Sequence, residues 1–143
     1  MMSYVFPSEE WVAAFKEQIN ASEEYQQSAA DWEAGDVCFR VQANPDIGLS
    51  EDGYIWLDLY HGQCRDAQLV DAEKGESARF VITATYDRWK QLITGQLDPV
   101  TAMMMGQMKV KGNLGELIRY TRAAKELIAC AGRVPTRFLG GEG

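Results

Sequence analysis

The chain of 143 residues is 46% hydrophobic, with four Trp, six Tyr and five Phe, a composition typical of one folded domain and not of a disordered segment. Its net charge of −7 is concentrated at the start, because residues 1–52 carry eleven acids and two bases. The sequence has no basic stripe with interleaved aromatic residues, so we expect no nucleic-acid partner.

No apolar run approaches the ~20 residues that span a bilayer. The opening MMSYVFPSEE lacks the basic start and apolar centre of a signal peptide, and the terminal Gly-Glu-Gly is not a peroxisomal address. We therefore expect a cytoplasmic protein with a single domain over residues 1–143.

The three cysteines are far apart and the chain has one histidine, His61. We expect reduced thiols at Cys38, Cys64 and Cys130. Structural zinc ligands usually come as closely spaced Cys or His pairs, so the sequence predicts no metal site and no cofactor.

Two helices are predicted near the N-terminus. Ser8 is a predicted N-cap, because the acids that follow it suit the positive end of the helix dipole, and this helix runs to about Asn20. A second helix is predicted from Ser22 until Gly35 stops it.

Strands follow, each marked by a period of two in its apolar side chains. They are predicted over 37–43 and 54–61, and a hairpin turn at Gly62-Gln63 is predicted to return the chain through 65–70. A polar connection then covers 71–77.

The stretch over 80–112 predicts a strand, two helices and a further strand in close succession. Thr85 caps the first helix and Gly95 ends it. Asp98 and Pro99 suit the N-cap and first position of the next helix, because the amide hydrogen that proline lacks has no partner there in any helix.

Four methionines fall within positions 103–108 of this stretch. Methionine specifies a rigid core poorly, but its unbranched chain adapts well to irregular contents. Two interpretations stay open: ordinary filling of the core, or a wall around an apolar ligand of variable shape.

A helix from Asn113 to about Ala131 is predicted to cover the sheet. The tail over 132–143 is predicted to be a mobile segment, either a loose end or a lid. The mild excess of bases over residues 53–143 is expected to pair with the acidic helices instead of with anionic lipid. The elements together predict an α+β domain with five largely antiparallel strands and the helices gathered on one face.

This order of elements resembles the SCP-2 sterol-transfer family (sterol carrier protein 2 domains). The resemblance covers nearly the whole chain and rests on Gly95, the Asp98-Pro99 pair, Ala102, Met104, Gly106 and Gly112, on PSEEW at 7–11, on YIWLDLYHGQCRDA at 54–67 and on the final helix. It implies an apolar tunnel between sheet and helices that binds or transfers a sterol, fatty acid, acyl-CoA or similar lipid without catalysis. Transient membrane contact and a homodimer are left open.

The tunnel wall that the resemblance and the alternation predict consists of apolar and aromatic side chains. These are Phe39, Val41, Leu57, Leu59, Phe80, Ile82, Trp89, Leu92, Ile93, Met103, Met104, Met105, Met108, Leu117 and Tyr120.

Two other functions compete with a lipid carrier. One is a protein-interaction or dimerisation module with the same fold. The other is a small enzyme that uses Cys64 with His61. Asp58 lies three residues before His61 and so on the opposite face of the strand. The strand itself therefore gives the histidine no orienting carboxylate, and we expect no catalysis.

Overall fold

The computed structural model describes residues 3–140. Its strands are β1 (Tyr4–Phe6), β2 (Val37–Val41), β3 (Gly53–Tyr60), β4 (Gln63–Val70), β5 (Phe80–Ala84), β6 (Lys109–Lys111) and β7 (Thr136–Phe138). Its helices are α1 (Glu9–Ala21), α2 (Glu23–Ser28), α3 (Ala72–Glu76), α4 (Tyr86–Ile93), α5 (Pro99–Met104), α6 (Leu114–Arg119) and α7 (Thr121–Gly132), and a short 3₁₀ helix covers Pro45–Ile47.

Five strands form the main sheet in the order β4-β3-β2-β5-β6. β2 pairs in parallel with β5, and the other neighbouring strands of this sheet are antiparallel. The predicted α+β class with a mostly antiparallel five-stranded sheet is therefore confirmed. The sheet is mixed, because β2 and β5 run parallel.

The period of two divides the side chains of the central strands between two faces of the sheet. One face, with Phe39 and Leu57, is buried in the main core together with apolar residues of α1, α2, α4, α5 and α7. The other face, with Cys38 and Tyr54, belongs to a smaller buried cluster.

The connection over 71–77 contains the short helix α3, which packs against β2 and β3. Asp71 caps it, because its Oδ1 accepts a hydrogen bond from the Lys74 amide at 2.9 Å. A Cβ atom at Gly75 would lie 2.4 Å from the Tyr54 ring, so only glycine fits this contact. The helix α3 is the exception to the predicted single layer of helices, and it is too short to show an apolar stripe in the sequence.

Side-chain caps confirm the predicted helix starts. The oxygens of Ser8, Ser22, Thr85 and Asp98 each accept a hydrogen bond from the backbone amide three residues later, at 2.9–3.2 Å. Each such cap is typically worth about 1 kcal/mol. The second helix, however, ends at Ser28, before the predicted stop.

The hairpin turn lies one residue earlier than predicted. His61 and Gly62 occupy its centre with φ values of 48° and 78°, and Gln63 already belongs to β4. Two-residue hairpin turns of this hand require positive φ at both central positions. Histidine is an uncommon choice at such a φ, which explains why composition favoured the pair that starts with glycine.

The C-terminal helix is divided where a continuous helix was predicted. Tyr120 separates α6 from α7 with φ −105° and ψ 46°. The break brings its ring edge-on to Trp32, with ring centroids 4.9 Å apart. A contact between residues far apart in sequence has therefore overridden a local helical pattern.

The tail that was predicted to be mobile is anchored as far as Leu139. Its strand β7 pairs in parallel with β1. Trp11 Nε1 donates to Thr136 Oγ1 at 2.9 Å, and the Leu139 amide donates to the Tyr86 hydroxyl at 2.9 Å. Phe138 is only 7% exposed. The last three residues of the chain lie outside the described residues.

We expect Phe138→Ala to lower the free energy of unfolding by about 3 kcal/mol, because it removes a buried ring from the core. The matched control is Arg137→Ala, an exposed position on the same strand, which should change stability by less than ~0.5 kcal/mol. Urea denaturation followed by tryptophan fluorescence measures both. If both variants lose equally little free energy of unfolding, burial of Phe138 in the core does not anchor the tail.

Candidate functional site

An apolar cavity of about 60 Å³ lies between the inner face of the sheet and the helices that cover it. It is lined by Tyr25, Ala29, Trp32, Val37, Phe39, Leu59, Ile82, Pro99, Met103, Met108, Leu117, Tyr120, Ala123, Ala124, Leu127 and Ile128. None of these side chains carries a charge, and the polar atoms among them are tyrosine hydroxyls and one indole N–H.

The sheet and α7 form the two longer walls of the cavity. Alternation in β2 places Val37 and Phe39 on the inner face, where parallel pairing sets Phe39 opposite Ile82 of β5. On α7, Ala124 and Ile128 face the cavity at a spacing of four residues, as one stripe of an amphipathic helix does.

Aromatic rings gather around Trp32 on the cavity wall. The Trp32 ring lies 5.6 Å from Phe80 and 4.9 Å from Tyr120, measured between ring centroids. Its indole N–H donates to the Gly35 carbonyl at 2.9 Å, so its polar atom is satisfied outside the cavity. Burial raises the pKa of the Tyr25 hydroxyl far above its usual range, and this group stays neutral.

The predicted wall residues fall into three groups. Phe39, Leu59, Ile82, Met103, Met108, Leu117 and Tyr120 line the cavity. Val41, Leu57, Phe80, Trp89, Leu92 and Ile93 are buried in the surrounding core and do not line it. Whether any of them contacts a ligand stays a prediction.

Met104 and Met105 form the third group, and the structure corrects their predicted place. Their side chains are 69% and 71% exposed, so they are not part of an inner wall. The helix α5 ends at Met104, and its buried face is formed by Pro99, Ala102 and Met103. The alternation argument could not fix the phase of so short a helix.

Other lining residues were missed in the predicted wall. Tyr25, Ala29 and Trp32 recur at three- and four-residue spacing in the second predicted helix, and Ala124 and Ile128 are four residues apart in the last one. The signal that could have found them is this periodicity, because an apolar helical stripe must pack against the sheet or against a ligand that lies on the sheet.

Cys64 and His61 do not form a catalytic pair. The Cys64 thiol donates to the Asp66 carbonyl at 3.2 Å, whereas the His61 ring pairs with Glu33 at the surface. Burial raises the pKa of the Cys64 thiol to about 12, which disfavours the nucleophilic thiolate. Across residues 3–140 no cluster of three or more His, Cys, Asp or Glu side chains could hold a metal ion.

The fold and the cavity define an α+β domain whose candidate site is apolar and without nucleophilic or charged lining groups. None of the helices among the described residues has the length and apolar character needed to cross a bilayer. The model of the SCP-2 sterol transfer family matches residues 12–125. This chain belongs to the SCP-2 sterol transfer family, as its sequence pattern predicted.

Solved structures agree with this assignment. A crystal structure of sterol carrier protein 2 is 35% identical with a TM-score of 0.82, covering 89% of this chain and 97% of that chain. A solution structure of a suggested sterol carrier protein from Thermus thermophilus is 34% identical with a TM-score of 0.81, covering 91% of this chain and 90% of that one. Lipid binding or transfer is the class of function that these relatives support.

Among curated proteins, human hydroxysteroid dehydrogenase-like protein 2 is 30% identical over 116 residues. The match covers 80% of this chain and 27% of that protein, so this chain spans about a quarter of its length. The dehydrogenase in its name therefore describes a much longer protein.

We expect the thiols to be nearly inert in the native protein. Burial raises the pKa of Cys38 and of Cys64 to about 12 and that of Cys130 to about 11, so roughly one Cys38 or Cys64 thiol in ten thousand is ionised at pH 8. An aromatic disulfide reagent at pH 8 should label the native protein at least about a hundredfold more slowly than the urea-unfolded chain. Fast labelling of native Cys64 would instead favour the alternative function, a small enzyme that uses Cys64 with His61.

Proposed function

We propose that this protein binds the hydrocarbon part of a lipid in an expanded form of the cavity and carries it without chemical change. The observation that supports this proposal is an uncharged, largely apolar and aromatic wall between sheet and helices in a member of a sterol transfer family. The ligand classes are those that the sequence pattern implied: a sterol, a fatty acid, an acyl-CoA or a similar amphiphile.

The driving force for such binding is the removal of apolar surface from water. Burial contributes roughly 25 cal/mol per Å² of apolar area, and an acyl chain or a sterol ring system offers a large area of this kind. The wall supplies no charge that would need a counterpart on the ligand. A carrier of this type needs no proton transfer, which agrees with the absence of nucleophiles from the wall.

The cavity must widen before a lipid can occupy it. Its volume of about 60 Å³ is far below the roughly 300–1,000 Å³ of ordinary ligand pockets. One wall that can move is α6, because Leu117 is its only buried residue among those described. Elements with few buried contacts open at low free-energy cost.

Methionine supports this adaptation. Met103 on α5 and Met108 just before β6 both line the cavity beside α6. Their unbranched side chains can follow the shape of different ligands, as branched side chains cannot. The interpretation of the methionine cluster as a ligand wall is thus retained in this proposal for these two residues.

Native mass spectrometry of freshly purified protein tests the proposal directly. A lipid-sized mass on the folded monomer supports it. If the protein carries no lipid and also fails to take up a fluorescent fatty acid and a fluorescent sterol, the proposal is wrong. A ligand-free dimer would favour the interaction module instead.

Met103→Trp should weaken binding of a fluorescent lipid at least tenfold, which corresponds to about 1.4 kcal/mol. The larger ring should take up the void that the ligand would widen, and we expect a loss of stability under ~1 kcal/mol because part of the added volume enters empty space.

The matched control is Met104→Trp, because this neighbouring side chain is 69% exposed and should leave both binding and stability unchanged. Fluorescence titration and urea denaturation measure the two properties. Unchanged binding by the Met103 variant would move the ligand site elsewhere, whereas a loss of several kcal/mol of stability would make Met103 ordinary core.

A further inference from the structure

A surface groove lies directly beside the cavity. It is formed by the end of α4, the loop that follows α4, the start of α5 and the C-terminal half of α7 with the residue after it. Its lining consists of residues 92–99 and of five residues from 125–133, and its volume is about 480 Å³. We refer to it as the α5–α7 groove.

The cavity and the α5–α7 groove meet at two apolar side chains. Pro99 and Ile128 line both spaces, and they are the only described residues that do so. On α7, Ala124 faces the cavity whereas Lys125 faces the groove, because successive residues of a helix point in different directions. Pro99 and Ile128 therefore form a partition between the two spaces.

The lining of the α5–α7 groove combines an apolar floor with a basic rim. Leu92 and Ile93 line the groove and are buried. The charged residues of the lining are two bases, Lys125 and Arg133, against one acid, Asp98, in a protein whose net charge is −7. Such a surface suits an amphiphile with an anionic head group.

Of the two bases, Lys125 is the one that is loosely held. Arg133 Nη1 donates to Glu126 Oε2 at 2.8 Å. Lys125 Nζ lies 3.8 Å from Asp98 Oδ1, which is longer than a hydrogen bond, and Asp98 Oδ2 already accepts a hydrogen bond from the Thr101 amide at 2.9 Å. The Lys125 ammonium therefore keeps donors for a second acceptor.

We propose that the α5–α7 groove holds the head group of a fatty acid, an inference that rests on the proposed lipid-carrier function. The Lys125 ammonium donates to the carboxylate, and the hydrocarbon chain passes between Pro99 and Ile128 into the widened cavity. The charged end of the ligand then stays in contact with water while its chain is buried. The uncharged cavity wall needs no partner for it.

This path requires the start of α5 to move away from α7. The helix α5 has six residues, and the loop residues 94–96 before it are exposed. Exposed loop segments open at low free-energy cost. The ion pair of Lys125 with Asp98 links α7 to the start of α5, so transfer of the ammonium from Asp98 to a ligand carboxylate removes one contact that keeps the path closed.

A singly charged carboxylate matches the α5–α7 groove better than the head groups of the other candidate lipids. Lys125 is the one base of its lining that no acid among the described residues holds at hydrogen-bond distance. A sterol hydroxyl carries no charge to pair with it, and the several phosphate charges of an acyl-CoA call for more than one such cation.

The contribution of Lys125 should be modest and sensitive to salt. Its side chain is 55% exposed. An exposed ion pair changes an affinity by up to about fivefold, and dissolved salt screens it. The test therefore compares two ligands that share one chain and differ in charge.

Fluorescence titrations of the full chain at low salt, with a fluorescent fatty acid and with its methyl ester, test the proposal. The readout is the ratio of the affinity for the acid to the affinity for the ester. The variants are Lys125→Glu and Lys125→Gln. The matched control is Arg122→Glu, which makes the same charge change as Lys125→Glu outside the groove, where the arginine pairs with Glu24 of the acidic helix α2 as predicted.

We expect Lys125→Glu to lower this ratio at least about fivefold and Lys125→Gln to lower it about twofold, whereas Arg122→Glu should leave it within about 1.5-fold. Added salt should shrink these differences. Affinity for the ester should stay nearly constant in all three variants, because the ester has no charge to pair with Lys125.

A second pair of variants tests the path of the chain. Ala129→Trp places a large ring at an exposed groove position next to Ile128, and Ala13→Trp is the matched control at an exposed alanine of α1. The groove variant should weaken binding of acid and ester alike by at least about fivefold, because the ring clashes with any ligand that enters there, and the control should change both by less than about twofold.

An unchanged ratio in both Lys125 variants, or an equal fall in the Arg122 control, would overturn the inference while the lipid-carrier proposal stands. Binding of both ligands by the Ala129 variant at the level of the Ala13 control would overturn the path between Pro99 and Ile128. If the unchanged protein binds neither ligand, the lipid-carrier proposal is wrong and this inference fails with it.

Discussion

The parallel pairing of β2 with β5 is the constraint on which the rest of the structure depends. It aligns Phe39 with Ile82 across the middle of the sheet, so both side chains project to the same face and form the sheet wall of the cavity. Parallel strands also require a long crossover. The β3–β4 hairpin and α3 supply that crossover, which places β3 on the other side of β2 and one short helix on the outer face.

The sequence predicted those parts of the fold that local chemistry determines. Ser8, Thr85 and Asp98 cap helices where their oxygens and positions predicted caps, and the period of two identified the core strands. It could not predict features that depend on distant contacts. The break at Tyr120 follows from packing on Trp32, and the β1–β7 pair joins residues at opposite ends of the described chain.

The candidate site was predictable only in its general character. Alternation and helical stripes indicate which side chains turn inward, but a core residue and a cavity residue share the same pattern. Leu57 and Leu59 have the same polarity and the same strand face, yet only Leu59 borders the void. Whether a position borders the void depends on which distant side chains pack over it, and no local sequence signal encodes those contacts.

The β1–β7 pair has a consequence for the order in which the fold is completed. Its parallel register sets Tyr4 beside Thr136, so it joins two segments that nearly the whole described chain separates. Closing so long a stretch of chain costs entropy that local pairings do not, so we expect this pair to form after local elements such as the β3–β4 hairpin.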